Sequence, residues 1–342
     1  MKSIKRYSIW IIISLVLQMS LYLYLDKFFF VNETSFKIKK IEEVKKVTKV
    51  AENIKIPEKS TNLTLSYDGK YASYFEGGNL KVINTQTAEE KAIPFEQGLS
   101  VSFCKWLPDR DRMFIAEKKV DKDNSSIKFS YYDVKSKEKT VLRDVSINLR
   151  DGKADVQNME FSTLTNVIYV KVGRKNNVSS IYRINVMESM EKVTTGLIGN
   201  IKIMTREDKM LYEDIRYSQI KTAGSDKVLK IKDADKLALV SIDKEDNLYV
   251  GQIDQGKVVK IFYGILSQST DTWKVTELKE PTEIKDIFVS LEGKTYVNDN
   301  LRGIVMDITS GKETPYIGSF LEMNNNVICS LQGDILLETK IN

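Results

Sequence analysis

Acid–base chemistry in this 342-residue chain would have to rest on carboxylates, because the sequence contains no histidine. That excludes Ser-His-Asp and Cys-His nucleophilic sites and histidine-based zinc sites. The two cysteines, Cys104 and Cys329, lack CxxC spacing, which argues against a thiolate metal site or thioredoxin-like exchange. The acids near loops are Asp109 and Asp111 in LPDRDR, Asp151 and Asp155 in RDGKAD, and the pair Glu213 and Asp214. A glycoside hydrolase or lyase needs two carboxyls at a defined separation, and no spacing rule pairs these across space. Most of them read as turn acids or solvated charges. The stretch DKDNSS (Asp121 to Ser126) has closely spaced oxygen donors but lacks the later Gly and Glu of an EF-hand loop, so it reads as a polar hairpin tip. No GxxxxGK or GxGxxG is present to cradle phosphate, and Gly77 and Gly78 belong to a hairpin signal. No residue is therefore assigned as catalytic, cofactor-binding or metal-ligating, and no cofactor is expected.

These side chains must be positioned by strands. After residue 46 the apolar residues recur with a period of two in short stretches, separated by turns rich in Asp, Gly, Asn and Lys. Helix-length amphipathic patterns are almost absent, so the body reads as all-β. One unit runs through NLTLS (Asn62 to Ser66), YASYF (Tyr71 to Phe75), NLKVIN (Asn79 to Asn84) and a short strand near Lys91 to Pro94. The same succession returns with starts near 62, 100, 157, 201, 236, 284 and 319, about 43 residues apart on average, which is the period of a β-propeller blade. The pattern predicts seven four-stranded blades over 47–342, with six or eight as alternatives because the fourth unit, TREDKMLYEDI with QIKTAGSDKVLKI, is irregular. The last unit supplies three strands (Ser319 to Met323, Val327 to Ser330, Asp334 to Glu338), and Val47 to Ile56 is expected to add its outer strand and close the ring. Adjacent aromatics such as Tyr131 and Tyr132 point to opposite sheet faces, and these two, with Phe262, Tyr263 and Trp273, read as packing between blades rather than as a stacking platform. Cys104 and Cys329 read as buried free thiols.

The turns between first and second strands carry a resemblance. SYDGKYASY (Ser66 to Tyr74) and SLEGKTYV (Ser290 to Val297), with SIDKEDNLYV (Ser241 to Val250) as a looser version, resemble the Ser-x-Asp-Gly-Lys pattern of TolB-like and WD-repeat-like bacterial propellers. The likeness spans roughly residues 60 to 340. It implies a propeller and a structural role for the turn, in which Asp bonds its own backbone and Gly takes the left-handed position. Glu292 replaces the Asp in the second motif, and Lys244 stands where Gly would in the third.

The uncharged run Ser8 to Leu25, SIWIIISLVLQMSLYLYL, follows MKSIKR and is closed by Asp26 and Lys27. It reads as an uncleaved transmembrane signal-anchor helix over 8–25, with a cytoplasmic N-terminus over 1–7, a juxtamembrane stalk over 26–46 and an extracytoplasmic body. A cleaved signal peptide is the rival, but LYLYLDKFFF offers no small-x-small cleavage site; a lipoprotein is disfavoured by the lack of a nearby cysteine. The basic stretch Lys37 to Lys49 reads as a hydrated stalk. The net charge of +5, from 52 basic and 47 acidic residues, describes a mixed surface and excludes a concentrated nucleic-acid footprint.

Together these features suggest a membrane-anchored scaffold or accessory subunit of a bacterial envelope complex, located at the cell membrane as a single-pass protein. Its partners would be an envelope or membrane protein and the lipid bilayer through the N-terminal helix. The Lys-, Ile- and Asn-rich usage is similar to that of proteins from AT-rich bacteria. The alternative function is a propeller that binds or cleaves cell-envelope glycan through acidic residues at the channel mouth. A sensor whose helix relays a bound state would need a membrane partner, for which Ser14 and Gln18 share one helix face.

Overall fold

The computed structural model describes residues 2–24, 54–225 and 227–341. The chain divides into two units, Met1–Val47 and Thr48–Asn342. In the first unit, one helix spans Lys2–Tyr24. It begins at Lys2, so the basic residues Lys2, Lys5 and Arg6 are built into its first turns instead of preceding it, and Ser14, Gln18 and Ser20 interrupt the apolar run that follows. Among the described residues no helix is long and apolar enough to cross a membrane. This overturns the transmembrane signal-anchor, and with it the single-pass cell-membrane location and the lipid bilayer as a partner. The expected stalk over 26–46, including most of the basic stretch 37–49, lies outside the described residues.

The second unit holds seven antiparallel sheets in chain order, five of four strands and two of three. They form a seven-bladed β-propeller. Blade 1 comprises Thr61–Leu65, Tyr71–Glu76, Asn79–Asn84 and Glu90–Ala92. Blade 2 runs from Ser100–Trp106 to Glu138–Leu149, blade 3 from Asp155–Ser162 to Met190–Gly196, blade 5 from Leu237–Ile242 to Lys274–Thr282, and blade 6 from Ile287–Val289 to Glu313–Pro315. The first strands of successive blades lie against one another, which makes them the inner wall of the ring. Blade 4 is the irregular one. Its three strands (Ile198–Ile203, Met210–Asp214, Gln219–Thr222) are followed only by a single bridge between Lys221 and Val228.

Blade 7 comprises Ser319–Asn324, Val327–Gln332 and Ile335–Lys340, and its outer edge is covered by the start of the propeller chain. Ile56 N donates to Asp334 O at 2.7 Å, Leu336 N donates to Ile54 O at 2.9 Å, and Lys55 bridges Ile335. Ile54 and Ile56 are buried with Leu65, Ala72, Tyr74 and Ile83 of blade 1 and Cys329 and Leu336 of blade 7. The alternation anticipated for Val47 to Ile56 thus closes the ring at residues 54–56; residues 47–53 lie outside the described ones. Residues 54–56 thus cover the outer edge of blade 7 at residues 334–336.

The core lies between blades because each sheet is apolar on both faces. Tyr132 packs with Leu80, Trp106 and Met113 on the blade 1 side, whereas Tyr131 packs with Phe114 and Phe161 on the blade 3 side. Trp273 and Phe262 are likewise buried, and both cysteines are free and buried. The Ser-x-Asp-Gly-Lys turn of blade 1 has its expected local role: Asp68 Oδ1 accepts from Ser66 Oγ at 3.1 Å and from Lys70 N at 3.0 Å, and Gly69 takes φ of 75°. In SIDKEDN the positive φ falls on Asp246, at 64°, while Asp243 accepts the N–H groups of Glu245 and Asn247, both at 2.9 Å. The extra residues lengthen the turn and displace the left-handed position by two.

Candidate functional site

In an antiparallel blade the first and third connections lie on one face of the ring, and the second connection lies on the other with the link between blades. On the first of these faces, blade 3 presents two short turns with apolar tips. The turn after Asp155–Ser162 exposes Leu164, and the turn after Ser179–Ile184 exposes Val186 and Met187, at 66, 70 and 84%. Local chemistry fixes the second turn: Asn185 Oδ1 accepts the N–H groups of Met187 and Ser189, each at 3.0 Å, and Glu188 adopts φ of 56°. The first turn is pinned by Ser162, whose Oγ donates to Thr205 O at 2.8 Å and accepts from Thr165 N. Both turns are thereby held with their apolar side chains in water, at a cost in hydrophobic free energy that a covering partner would recover.

Beside these tips, a cleft of about 200 Å³ opens between blades 2 and 3, lined by Arg110, Arg112, Tyr131, Phe161, Val186 and Glu188 among others. Two aromatic rings, Tyr131 and Phe161, line it, and both rest on Phe114 in the core behind them. Phe114 is fully buried and stacks on Phe129 at 5.5 Å, meets Tyr131 at 4.8 Å and takes Phe161 edge-on at 5.7 Å. The rim is zwitterionic. Arg110 pairs with Asp109 at 2.6 Å, Arg112 pairs with Asp133 at 3.0 Å and stands over the Tyr131 ring at 5.9 Å, and Glu188 accepts Arg143 N at 3.3 Å. The Tyr131 hydroxyl is kept protonated by burial, which outweighs the neighbouring arginines.

The sequence-selected acids do not converge. Asp109 is engaged by Arg110 on the rim, and Asp111 is buried on the same face against Asp68 and Lys135. Asp151 is a buried turn residue that accepts Lys153 N and Lys175 N, both at 3.0 Å, and these bonds hold its carboxyl below the usual range. Asp155 receives Lys118 Nζ at 3.0 Å and Ser102 Oγ at 2.5 Å. Glu213 accepts Asn200 N and Leu239 N and so ties blade 4 to blade 5, while Asp214 pairs with Lys221. These last four stand at the opposite ends of their strands from Asp109 and Asp111. Each acid therefore has a structural partner, and no cleft brings two of them together for glycan chemistry. DKDNSS forms the tip of the hairpin between Arg112–Asp121 and Asn124–Asp133. Among the described residues no group of three or more Asp, Glu or Cys is arranged to hold a metal ion.

Sequence reasoning passed over two features. The apolar tips were hidden because Leu164, Val186 and Met187 continue strand-like runs, and only their placement between turn-forming Asn and Ser residues marks them. The inner wall also carries a charged rung from three successive blades: Glu160 receives Lys105 Nζ at 3.0 Å and Lys202 Nζ at 3.5 Å. Burial and the like charge of Lys202 depress the Lys105 ammonium, while both lysines hold Glu160 ionised. Each of these groups sits at a strand position whose neighbours are apolar, so the charges are visible in sequence but their meeting across blades is not.

No family model and no curated protein sequence matches this chain. Its fold is similar to solved propellers at low identity. A chain in the structure of the Mitotic Checkpoint Complex is 12% identical, with a TM-score of 0.52 over 85% of this chain and 96% of that one. The Cps50 (Swd1) β-propeller domain of Myceliophteria thermophila is 9% identical, with a TM-score of 0.54 over 84% and 99%. These likenesses establish the propeller fold, and they do not support the TolB-like assignment suggested by the turn motifs, whose residues meet a local backbone requirement.

Proposed function

We propose that this propeller is a protein-binding module whose recognition surface is the face carrying Leu164, Val186 and Met187, with the cleft between blades 2 and 3 receiving one anchoring side chain of the partner. The observation that carries the proposal is the pairing of three solvent-exposed apolar tips with a cleft on the same face that Tyr131 and Phe161 line. Cofactors and drug-sized ligands occupy roughly 300–1,000 Å³. A cleft of about 200 Å³ with a charged rim is below that range and suits a single apolar side chain, in the manner of an interface hot spot. The membrane-anchored form of the scaffold hypothesis is not retained, because the helix that would anchor it does not meet the requirement for a span.

The test replaces the tips without touching the core. L164D/M187D should fold with an unchanged denaturation midpoint and lose partner capture by at least tenfold, while L301D, a fully exposed control on the opposite face, should retain it. Equal capture by all three proteins would exclude this face.

A further inference from the structure

The joint between the last blade and the first gathers acidic side chains around a thiol. Glu322, Cys329 and Glu338 are direct cross-strand partners in blade 7, Glu322 opposite Cys329 and Cys329 opposite Glu338, so one row across the sheet reads acid, thiol, acid. That face packs on blade 1, with Cys329 and Leu336 in the cluster that holds Leu65, Ala72 and Tyr74. Glu322 Oε1 accepts Leu65 N from blade 1, and no cation among the described residues acts on it. Glu338 lies under the blade 1 turn, its carboxylate oxygens 3.4 and 3.6 Å from where a side chain on Gly69 would begin. Its Oε1 is buried without a hydrogen-bond partner among the described residues. What faces it is Asp68 of that turn, a like charge, and among the described residues the one cation acting on it is Lys340 of its own strand. The turn continues the pattern into blade 2. Asp68 faces Asp111 as a like charge, and Asp111 Oδ1 is buried without a hydrogen-bond partner among the described residues, while Lys70 and Lys135 stand on the solvent side.

We propose that the joint between blades 7 and 1 is a pH-operated clasp, shut while Glu322 and Glu338 carry their protons and loosened when they ionise. The joint is where the first and last strands of the propeller meet, closed by residues 54–56, so loosening it opens the ring at its seam. Charge burial supplies the force: an ionised carboxylate without a cation or sufficient hydrogen bonds is costly in a desolvated interface. Burial accordingly pushes both carboxyls up to about 7, and Asp111 up to about 6 with help from Asp68. The chain has no histidine to titrate in this range. Glu213 shows why the blade 4–5 joint differs. It is also raised by burial, but two backbone N–H groups and Lys171 favour its ionised form.

Because each carboxyl holds its proton more tightly in the closed joint than in an opened one, closure is favoured in acid. The advantage declines from the ordinary carboxyl value of 4.5 upward and is exhausted above about 7. Between pH 6 and 8.5 the opening equilibrium should rise about tenfold per carboxyl, about a hundredfold for the pair. Hydrogen exchange of the full chain at these two pH values, with times corrected for the intrinsic pH dependence of exchange, reads this directly. Peptides covering Thr61–Leu65, Val327–Gln332 and Ile335–Lys340 should lose about a hundredfold in protection while Val167–Gly173 in blade 3 does not change. E322Q/E338Q should keep the protection at pH 8.5, and E338Q alone should leave about a tenfold response. A seam that follows blade 3 at both pH values, or a response that survives E322Q/E338Q, would overturn the clasp.

Discussion

Closure of the ring by residues 54–56 makes a quantitative demand on two isoleucines. Ile54 is fully buried and Ile56 is 3% exposed, and both sit between blade 7 and blade 1 with backbone hydrogen bonds to Asp334 and Leu336. Truncating a buried Ile to Ala costs about 2–5 kcal/mol, depending on how far the site collapses. A segment at the edge of a sheet relaxes more readily than a central strand, so we take about 2.5 kcal/mol for each. The two side chains share one cluster, and their sum of about 5 kcal/mol carries a coupling of up to about 1 kcal/mol. The exposed ion pair of Lys55 with Asp334, at 3.8 Å, adds little. Urea unfolding followed by the buried Trp106 and Trp273 provides the assay. With a slope of about 3 kcal/mol/M, I54A/I56A should lower the midpoint by about 1.5 M without changing the slope. A loss below about 1 kcal/mol would show that residues 54–56 do not hold the ring closed.

Three further substitutions probe other joints. The Tyr249 hydroxyl donates to Gly293 O at 3.0 Å and meets Asp243 Oδ2 at 3.1 Å, linking blades 5 and 6; Y249F should cost about 1–2 kcal/mol in the same urea assay. Gly318 has φ of 89°, and a Cβ there would lie 2.1 Å from Leu331 O, so G318A should destabilise by more than about 3 kcal/mol and reduce the soluble yield. Phe114 is fully buried in three aromatic contacts, and F114A should cost about 3–5 kcal/mol in the same assay and weaken partner capture by loosening Tyr131 and Phe161, which line the cleft.

The blades were legible because their strands keep a period of two and their turns use residues that tolerate positive φ. Starts read near 62, 100, 236 and 319 fall within one residue of strands beginning at Thr61, Ser100, Leu237 and Ser319. The closing segment was legible for the same reason, since three strands at the end and an unpaired strand at the start have only one another as partners. The span reading is overturned because, among the described residues, no helix is long and apolar enough to cross a membrane, the run after MKSIKR being interrupted by Ser14, Gln18 and Ser20. The site was hardly legible at all. Asp111 looks like a turn acid until the blade 1 turn brings Asp68 beside it, and Glu322 and Glu338 look like ordinary strand acids until register aligns them with Cys329. Such contacts depend on how one blade sits against the next, and sequence spacing carries no record of it. Leu164, Val186 and Met187 become a surface only when two turns of blade 3 emerge on the same face.

The central claim, that one face of the propeller binds a protein partner, is tested most directly by placing a photocrosslinking side chain at Met187 or, separately, at Leu301 on the opposite face of the full-length chain. The account predicts a discrete crosslinked species from Met187 that is absent from Leu301 and disappears when L164D is added. Equal crosslinking from both positions, or none from Met187, would contradict it.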